Sequence, residues 1–459
     1  MRILSKHLVF LTLSIAVLSQ GLRAESKKMP AGNELKDAEH QTYYINSETG
    51  NDSNAGTSTK LAWKSLKIIE NTSFQAGDRL LFAKNSSFIG GTKFQSSGTA
   101  ENAIVIGNYG EGALPSFSNP DGSWLFGNVF QITGSHIVID GLSFSHCANS
   151  NVKYGPGMEE RSREADSRIL QVGAIYTKLG ADYITIKNCE FTDCPIGINI
   201  NGQHSLITHN ILNGCNRFLC EPDWGPLGIV IGNAFNEVAY NTGSNHVAWG
   251  GNYGGDGGFI ELDDRYSGGK VHDVKIHHNK SFGNMGFLEV ESHVEGSNID
   301  VYYNLSKDYQ SFLLMWGVLG KIENNTVIRT MPGGWVIAIG KKNRENSGTT
   351  FTFRNNIFVV DDGLQVFEDQ EALCQIIHEN NLYFSTDFST EDPCGKPLGL
   401  GELIADPKFV DSANNDYRLS AESPAIHKGA RIGYAFDIDN TPIPKRKAPS
   451  IGAFEYKCY

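Results

Sequence analysis

A unit of the form apolar-x-apolar-x-Asn recurs through the middle of this chain and limits its fold more tightly than any other feature. It reads Ile184-Thr185-Ile186-Lys187-Asn188, then Leu206-Ile207-Thr208-His209-Asn210, and returns with final asparagines at Asn241, Asn279, Asn304, Asn325, Asn356 and Asn381. The steps between these asparagines are 22, 31, 38, 25, 21, 31 and 25 residues. An earlier copy fits at Ile137-Val138-Ile139-Asp140-Gly141, followed by a polar insertion from Asn151 to Ser167. A second short apolar strand follows most units, as at Ile198-Asn199-Ile200-Asn201 and Ile229-Val230-Ile231. Short strands in coils of variable length, with an asparagine at one corner, predict a right-handed parallel β-helix. Each coil buries its apolar face only against its neighbours, and the corner amides stack along the axis. An antiparallel sandwich would need turn signals every 8 to 12 residues or so and would not explain the asparagine register.

The flanks complete the expected layout. Met1 to Ala24 reads as a secretory signal, with Arg2 and Lys6 before an apolar run from Leu8 to Leu18 and Leu22-Arg23-Ala24 at the cut. Residues 25–41 read as a flexible leader, and residues 42–459 as one β-helix domain. Within it, 42–117 forms an N-terminal cap with the first coils, 137–385 the regular coils and 386–459 a C-terminal cap, expected to cover the last coil and run back along the helix. One or two helical turns fit Leu61 to Asn71. No later stretch reaches the roughly 18 apolar residues of a membrane span, so the expectation is a secreted or periplasmic monomer. Removing the three basic residues of the signal takes the formal charge from -12 to -15, which excludes nucleic acid as a natural partner. Eight cysteines (Cys147, Cys189, Cys194, Cys215, Cys220, Cys374, Cys394, Cys458) in an exported chain predict some disulfides, with the pairing open.

Several end motifs carry a resemblance. Tyr43-Tyr44-Ile45-Asn46 with Gly50-Asn51-Asp52, Gly77-Asp78-Arg79-Leu80-Leu81-Phe82, Asp406-Pro407-Lys408-Phe409-Val410 and Ile451-Gly452-Ala453-Phe454-Glu455-Tyr456 resemble secreted bacterial β-helix proteins of the pectin-lyase-like superfamily. The likeness spans nearly all of the mature chain. It implies the fold and a polysaccharide or oligosaccharide substrate, but it does not choose between lyase, hydrolase and epimerase. The chain lacks the Gly-His-Gly of polygalacturonases, the Asp-Pro-His-Asp of mannuronate epimerases and the Asn-Ser-Asp-Asp-Gly of one calcium-dependent pectate lyase group. What is left resembles β-helical exo-acting glycosidases.

The chemistry is expected between Asp256 and Ser292. Gly258-Phe259-Ile260-Glu261-Leu262-Asp263-Asp264 is repeated by Gly286-Phe287-Leu288-Glu289-Val290-Glu291-Ser292, with aliphatics and acids alternating at the period of a strand. On consecutive coils, Glu261 would sit over Glu289 at about 5 Å, with diagonals of about 8 Å. Paired carboxyls at about 5 to 5.5 Å serve retaining glycosidases and at about 6.5 to 9.5 Å inverting ones. Glu261, Asp263, Glu289 and Glu291 are therefore the catalytic candidates, pointing into a solvent-facing hollow, and hydrolysis by them requires no cofactor.

The same acids allow other readings. They could be a solvated face, or Asp256, Asp263 and Asp264 could hold Ca²⁺ for a lyase acting on a uronate-containing polymer. Its base would come from Arg265, Lys270, His293, Lys341 or Lys342. A non-catalytic glycan binder is the third class. Trp249 and Tyr253, in the glycine-rich loop before the first acidic strand, and Trp316, in the outward column of Asp263 and Glu291, are candidates to stack on sugar. Asp264, Arg265 and His293 complete the substrate-binding candidates. His246 reads as a hydrogen-bonding loop residue.

Overall fold

The repeat unit closes into coils because each asparagine follows a residue with left-handed backbone. His209, Tyr240, His278, Tyr303, Asn324, Asn355 and Asn380 all have φ between 51° and 58°. One such residue bends the strand sharply, and the next residue turns its side chain inward. The structure, a computed structural model, describes residues 40–121, 127–147, 171–219, 224–265, 267–291, 298–315, 320–329, 334–339, 350–367 and 375–457. The signal sequence, most of the leader, the Asn151–Ser167 insertion, His293, Trp316, Lys341, Lys342, Cys220, Cys374 and Cys458 lie outside the described residues.

Three parallel sheets run along the molecule. One of twelve strands contains the repeat units, from Thr42–Ile45 to Gln375–Glu379; a second of twelve follows each corner, from Ser87–Ile89 to Leu403–Ile404. The third has nine strands, from Thr92–Phe94 to Ile337–Ile339, and includes Gly258–Leu262 and Leu288–Val290. From Arg79–Ala83 to Ile337–Ile339 the chain passes from first to second to third sheet coil after coil, which gives the expected right-handed parallel β-helix. Antiparallel pairing among the described residues is confined to Ala248–Trp249 with Gly255–Asp256 and Phe409–Asp411 with Asp416–Leu419, apart from an isolated bridge at Phe436 and Pro442. The described residues contain no helix long and apolar enough to cross a membrane.

The interior is filled by in-register aliphatic and phenylalanine stacks, such as Ile198, Ile229, Ile260 and Leu288, all at most 2% exposed. At the corner, the asparagines form a directional ladder. Asn210 Nδ2 donates to Asn241 Oδ1, and the pattern continues through Asn279, Asn304, Asn325 and Asn356 to Asn381 at 2.9–3.1 Å. Each Oδ1 also accepts the backbone N–H of the previous asparagine, and each Nδ2 also reaches a strand carbonyl. The last rung is Glu402, whose Oε1 accepts from Asn381 Nδ2 and from Tyr383 Oη at 2.7 Å. The first rung differs from expectation. Asn188 occupies the left-handed position and bonds outward to Asp140, so Cys189 is the inward residue and its N–H donates to Asn210 Oδ1.

At the N-terminus, a short helix, Lys67–Glu70, buries Ile69. The C-terminal segment packs against the second sheet. Tyr417, Leu419, Ile438, Ile451 and Phe454 cover the outward apolar face of the second sheet at Leu305, Ile328, Ile357 and Leu382. The described cysteines correct the disulfide expectation: Cys147, Cys189, Cys194, Cys215 and Cys394 are buried free thiols. Cys147 and Cys194 stack on consecutive coils with sulfurs 3.5 Å apart, as packing residues of the interior.

Replacing Asn304 strips a donor or acceptor from both neighbouring rungs, and each buried group so orphaned costs about 1–3 kcal/mol. Asn304→Ala is expected to lower stability by about 2–4 kcal/mol in chemical unfolding. Exposed Lys321→Ala, one coil on, should change it by less than about 0.5 kcal/mol.

Candidate functional site

The two acidic strands are neighbours in the nine-stranded sheet, in the expected register: Ile260 opposes Leu288, Glu261 opposes Glu289 and Leu262 opposes Val290. The pairing continues one residue further, because Glu291 N–H donates to Leu262 O, which sets Asp263 beside Glu291. The aliphatics face inward at 0–2% exposure and the four acids share the opposite face.

That face is not uniformly open. Glu261 and Asp263 are buried, whereas Glu289 and Glu291 are half-buried. Earlier coils present Tyr176, Asn199 and Val230 in the column of Glu261, all buried as well. Later coils present Leu314, which is partly exposed. The column is thus partly open at Glu289 and Leu314 and closes again at Ala338, which corrects the expectation of one open hollow for all four acids.

The cover is built by Arg265 and Trp224. Arg265 donates from Nε to both Asp263 oxygens at 3.0 and 2.9 Å and from Nη2 to Oδ2 at 2.5 Å, while its own N–H donates to Oδ1. Nη1 lies 3.2 Å from Glu291 Oε1 and Nη2 3.8 Å from Glu261 Oε1. The guanidinium sits over the Trp224 ring, 4.8 Å from its centre, a cation–π arrangement. The role of Trp224 was not legible in the sequence, since nothing local pairs it with a residue 41 positions later.

The electrostatics follow from one cation serving several acids. Burial, then Asp263 and Glu289, push the Glu261 carboxyl well above the usual range, although Arg265 pulls it down. Its Oε1 makes no hydrogen bond. Burial, then Asp256 and Glu291, push Glu289 up to about 8, again against Arg265. Burial alone would lower the Arg265 pKa, but its bonds to Asp263 and the charges of Glu291 and Glu261 raise it instead, so it stays a cation and is unsuited to act as a base. Lys270 is exposed in the turn beyond.

The other candidates separate by position. Asp256 accepts from Gly225 N and Gly257 N, and Asp264 Oδ2 accepts from Val271 N across a turn. With Asp263 held by Arg265, each member of the Asp256, Asp263 and Asp264 set is engaged by protein donors. Among the described residues, a cluster of three such ligand atoms occurs at His378, Cys394 and Glu402. There Glu402 accepts from His378, Gly399, Asn381 and Tyr383, as befits the end of the amide ladder.

Trp249 and Tyr253 fall on the hairpin that carries Asp256, and both rings are exposed, at 56% and 67%. Gly250, Gly254 and Gly257 have φ of 102°, 77° and 126°, which explains the glycine content of this loop. Tyr309, which the sequence did not flag, packs on Trp249 with ring centres 5.1 Å apart. His246 is buried and shares a 2.8 Å hydrogen bond with Asn284, and burial lowers its pKa to about 4.

Comparison with solved structures agrees with the fold. The chain is similar to a pectate lyase, Pel9A, at 16% identity, with 91% of this chain and 96% of that one covered and a TM-score of 0.60. It is also similar to XylC, solved in complex with xylose, at 12% identity, 91% and 98% coverage and a TM-score of 0.53. No protein-family model and no curated protein matches the sequence.

Removing Arg265 would leave Asp263, Glu261 and Glu291 without their shared cation. Arg265→Gln is expected to cost about 3–5 kcal/mol. The loss should grow as pH rises and Glu261, whose pKa Arg265 pulls down, ionises, in chemical unfolding measured at several pH values.

Proposed function

We propose that this protein is an exported glycoside hydrolase in which Glu289 is the general acid and Glu291 the general base. The observation that carries this reading is the split between two half-buried acids on one strand. Glu289 is pushed up to about 8 and so holds its proton at neutral pH, while Glu291 pairs with Arg265. A carboxyl held protonated next to one that faces a cation is an arrangement suited to acid and base roles. Residues two apart on one face of a strand are separated by about 6.6 Å, within the roughly 6.5–9.5 Å of inverting enzymes. Glu261 and Asp263, both buried, act as supports: Asp263 anchors the guanidinium and its charge adds to the rise in the Glu289 pKa, and Glu261 sits beside Glu289 in the sheet. The sugar-related solved structures of this fold favour carbohydrate as the substrate class.

In this mechanism Glu289 gives its proton to the leaving glycosidic oxygen as the bond breaks. Glu291 takes a proton from the water that attacks the anomeric carbon on the opposite face. The hairpin rings of Trp249 and Tyr253 offer stacking surfaces for a pyranose.

Glu289→Gln should reduce turnover by about 10²- to 10⁴-fold. Wild-type activity should fall as pH rises through about 8, where Glu289 loses its proton. Proton NMR of the first product should show an inverted anomer and no unsaturation. Unchanged turnover in Glu289→Gln contradicts the assignment. A 4,5-unsaturated uronate in the product, with loss of activity in chelator, would replace it with the calcium-assisted lyase, and binding without turnover on any substrate with a non-catalytic binder.

A further inference from the structure

We infer that the site selects neutral glycans and rejects uronates, a statement that rests on the glycosidase reading because it names the sugar class for the same two acids. Five carboxyl groups belong to this face and its edge. Strand pairing joins Glu261 to Glu289 and Asp263 to Glu291, and the charge of Asp256 acts on Glu289. Among the described residues, Arg265 is the cation that answers them, and it is committed. Nε and Nη2 bond Asp263, Nη1 faces Glu291, Nη2 also faces Glu261, and the flat side of the guanidinium lies over Trp224. The bidentate face by which this arginine could clamp a carboxylate is therefore already occupied by Asp263.

Charge counting gives the same sign. With Glu261 and Glu289 both protonated, Asp256, Asp263 and Glu291 still set three formal negative charges against one positive. A uronate would add another like charge, and like-charge juxtaposition in a partly buried site works strongly against binding. A neutral pyranose meets no such penalty. Its apolar face can stack on the exposed rings of Trp249 and Tyr253, on the hairpin whose far strand carries Asp256.

The test is binding to Glu289→Gln protein, folded by circular dichroism, on an array of neutral and uronate-bearing oligosaccharides matched in length, first in EDTA and then in calcium. Neutral members are expected to bind at least about tenfold more tightly than uronates of equal length in both conditions. Asp256→Asn should narrow that gap by improving uronate binding. Equal or tighter uronate binding in EDTA overturns the inference, as does uronate binding that appears only with calcium. Selective neutral binding combined with a wild-type protein that hydrolyses none of the bound glycans leaves the specificity standing and removes the hydrolase assignment.

Discussion

Everything at the acidic face depends on coils being held in register, and the asparagine ladder is the interaction that does so. Each rung fixes the backbone N–H of one coil to the side chain of the next and returns a donor to a strand carbonyl. A slip by one residue would break these bonds and turn each aliphatic stack outward. The left-handed residue before each asparagine is part of the same device, since it turns the amide into the interior. Coils of 21 to 38 residues can therefore share one corner, and length differences are absorbed in loops. The longest of these steps contains the hairpin with Trp249, Tyr253 and Asp256.

A rigid register also creates an electrostatic problem. Two similar acidic strands stacked one coil apart bring Glu261 onto Glu289 and Asp263 onto Glu291, and burial and like charges disfavour ionisation of Glu261 and Glu289. The molecule answers with a single arginine, and it does so unevenly. Asp263 receives most of the guanidinium, Glu291 one nitrogen and Glu261 only a distant one. That asymmetry gives four chemically similar acids different partners, with Glu289 and Glu291 left partly exposed.

The fold and the pairing of the acids were legible in the sequence because both follow from strict spacing. Period-two alternation and a corner asparagine report backbone geometry directly, and identical Gly-Phe openings set Glu261 over Glu289. Exposure was not legible. Glu261 and Glu289 have the same local pattern, but Glu261 is followed four residues on by Arg265, against which Trp224, 41 residues earlier in the chain, is packed. For the same reason Arg265 read as a substrate contact or base, although its nitrogens face the protein's own acids. The Asn188 and Cys189 rung shows the limit of pattern matching by letter: the asparagine fits the motif, but the left-handed position claims it and the thiol turns inward.

The account stands on Glu289 keeping its proton at neutral pH while its strand neighbour Glu291 pairs with Arg265. Difference infrared spectroscopy of wild type against Glu289→Gln, following the protonated-carboxyl band across a pH series, measures this directly. The band assigned to Glu289 should persist through neutral pH and fade near about 8. Its disappearance near 4.5, the ordinary value for a glutamate, would contradict the account.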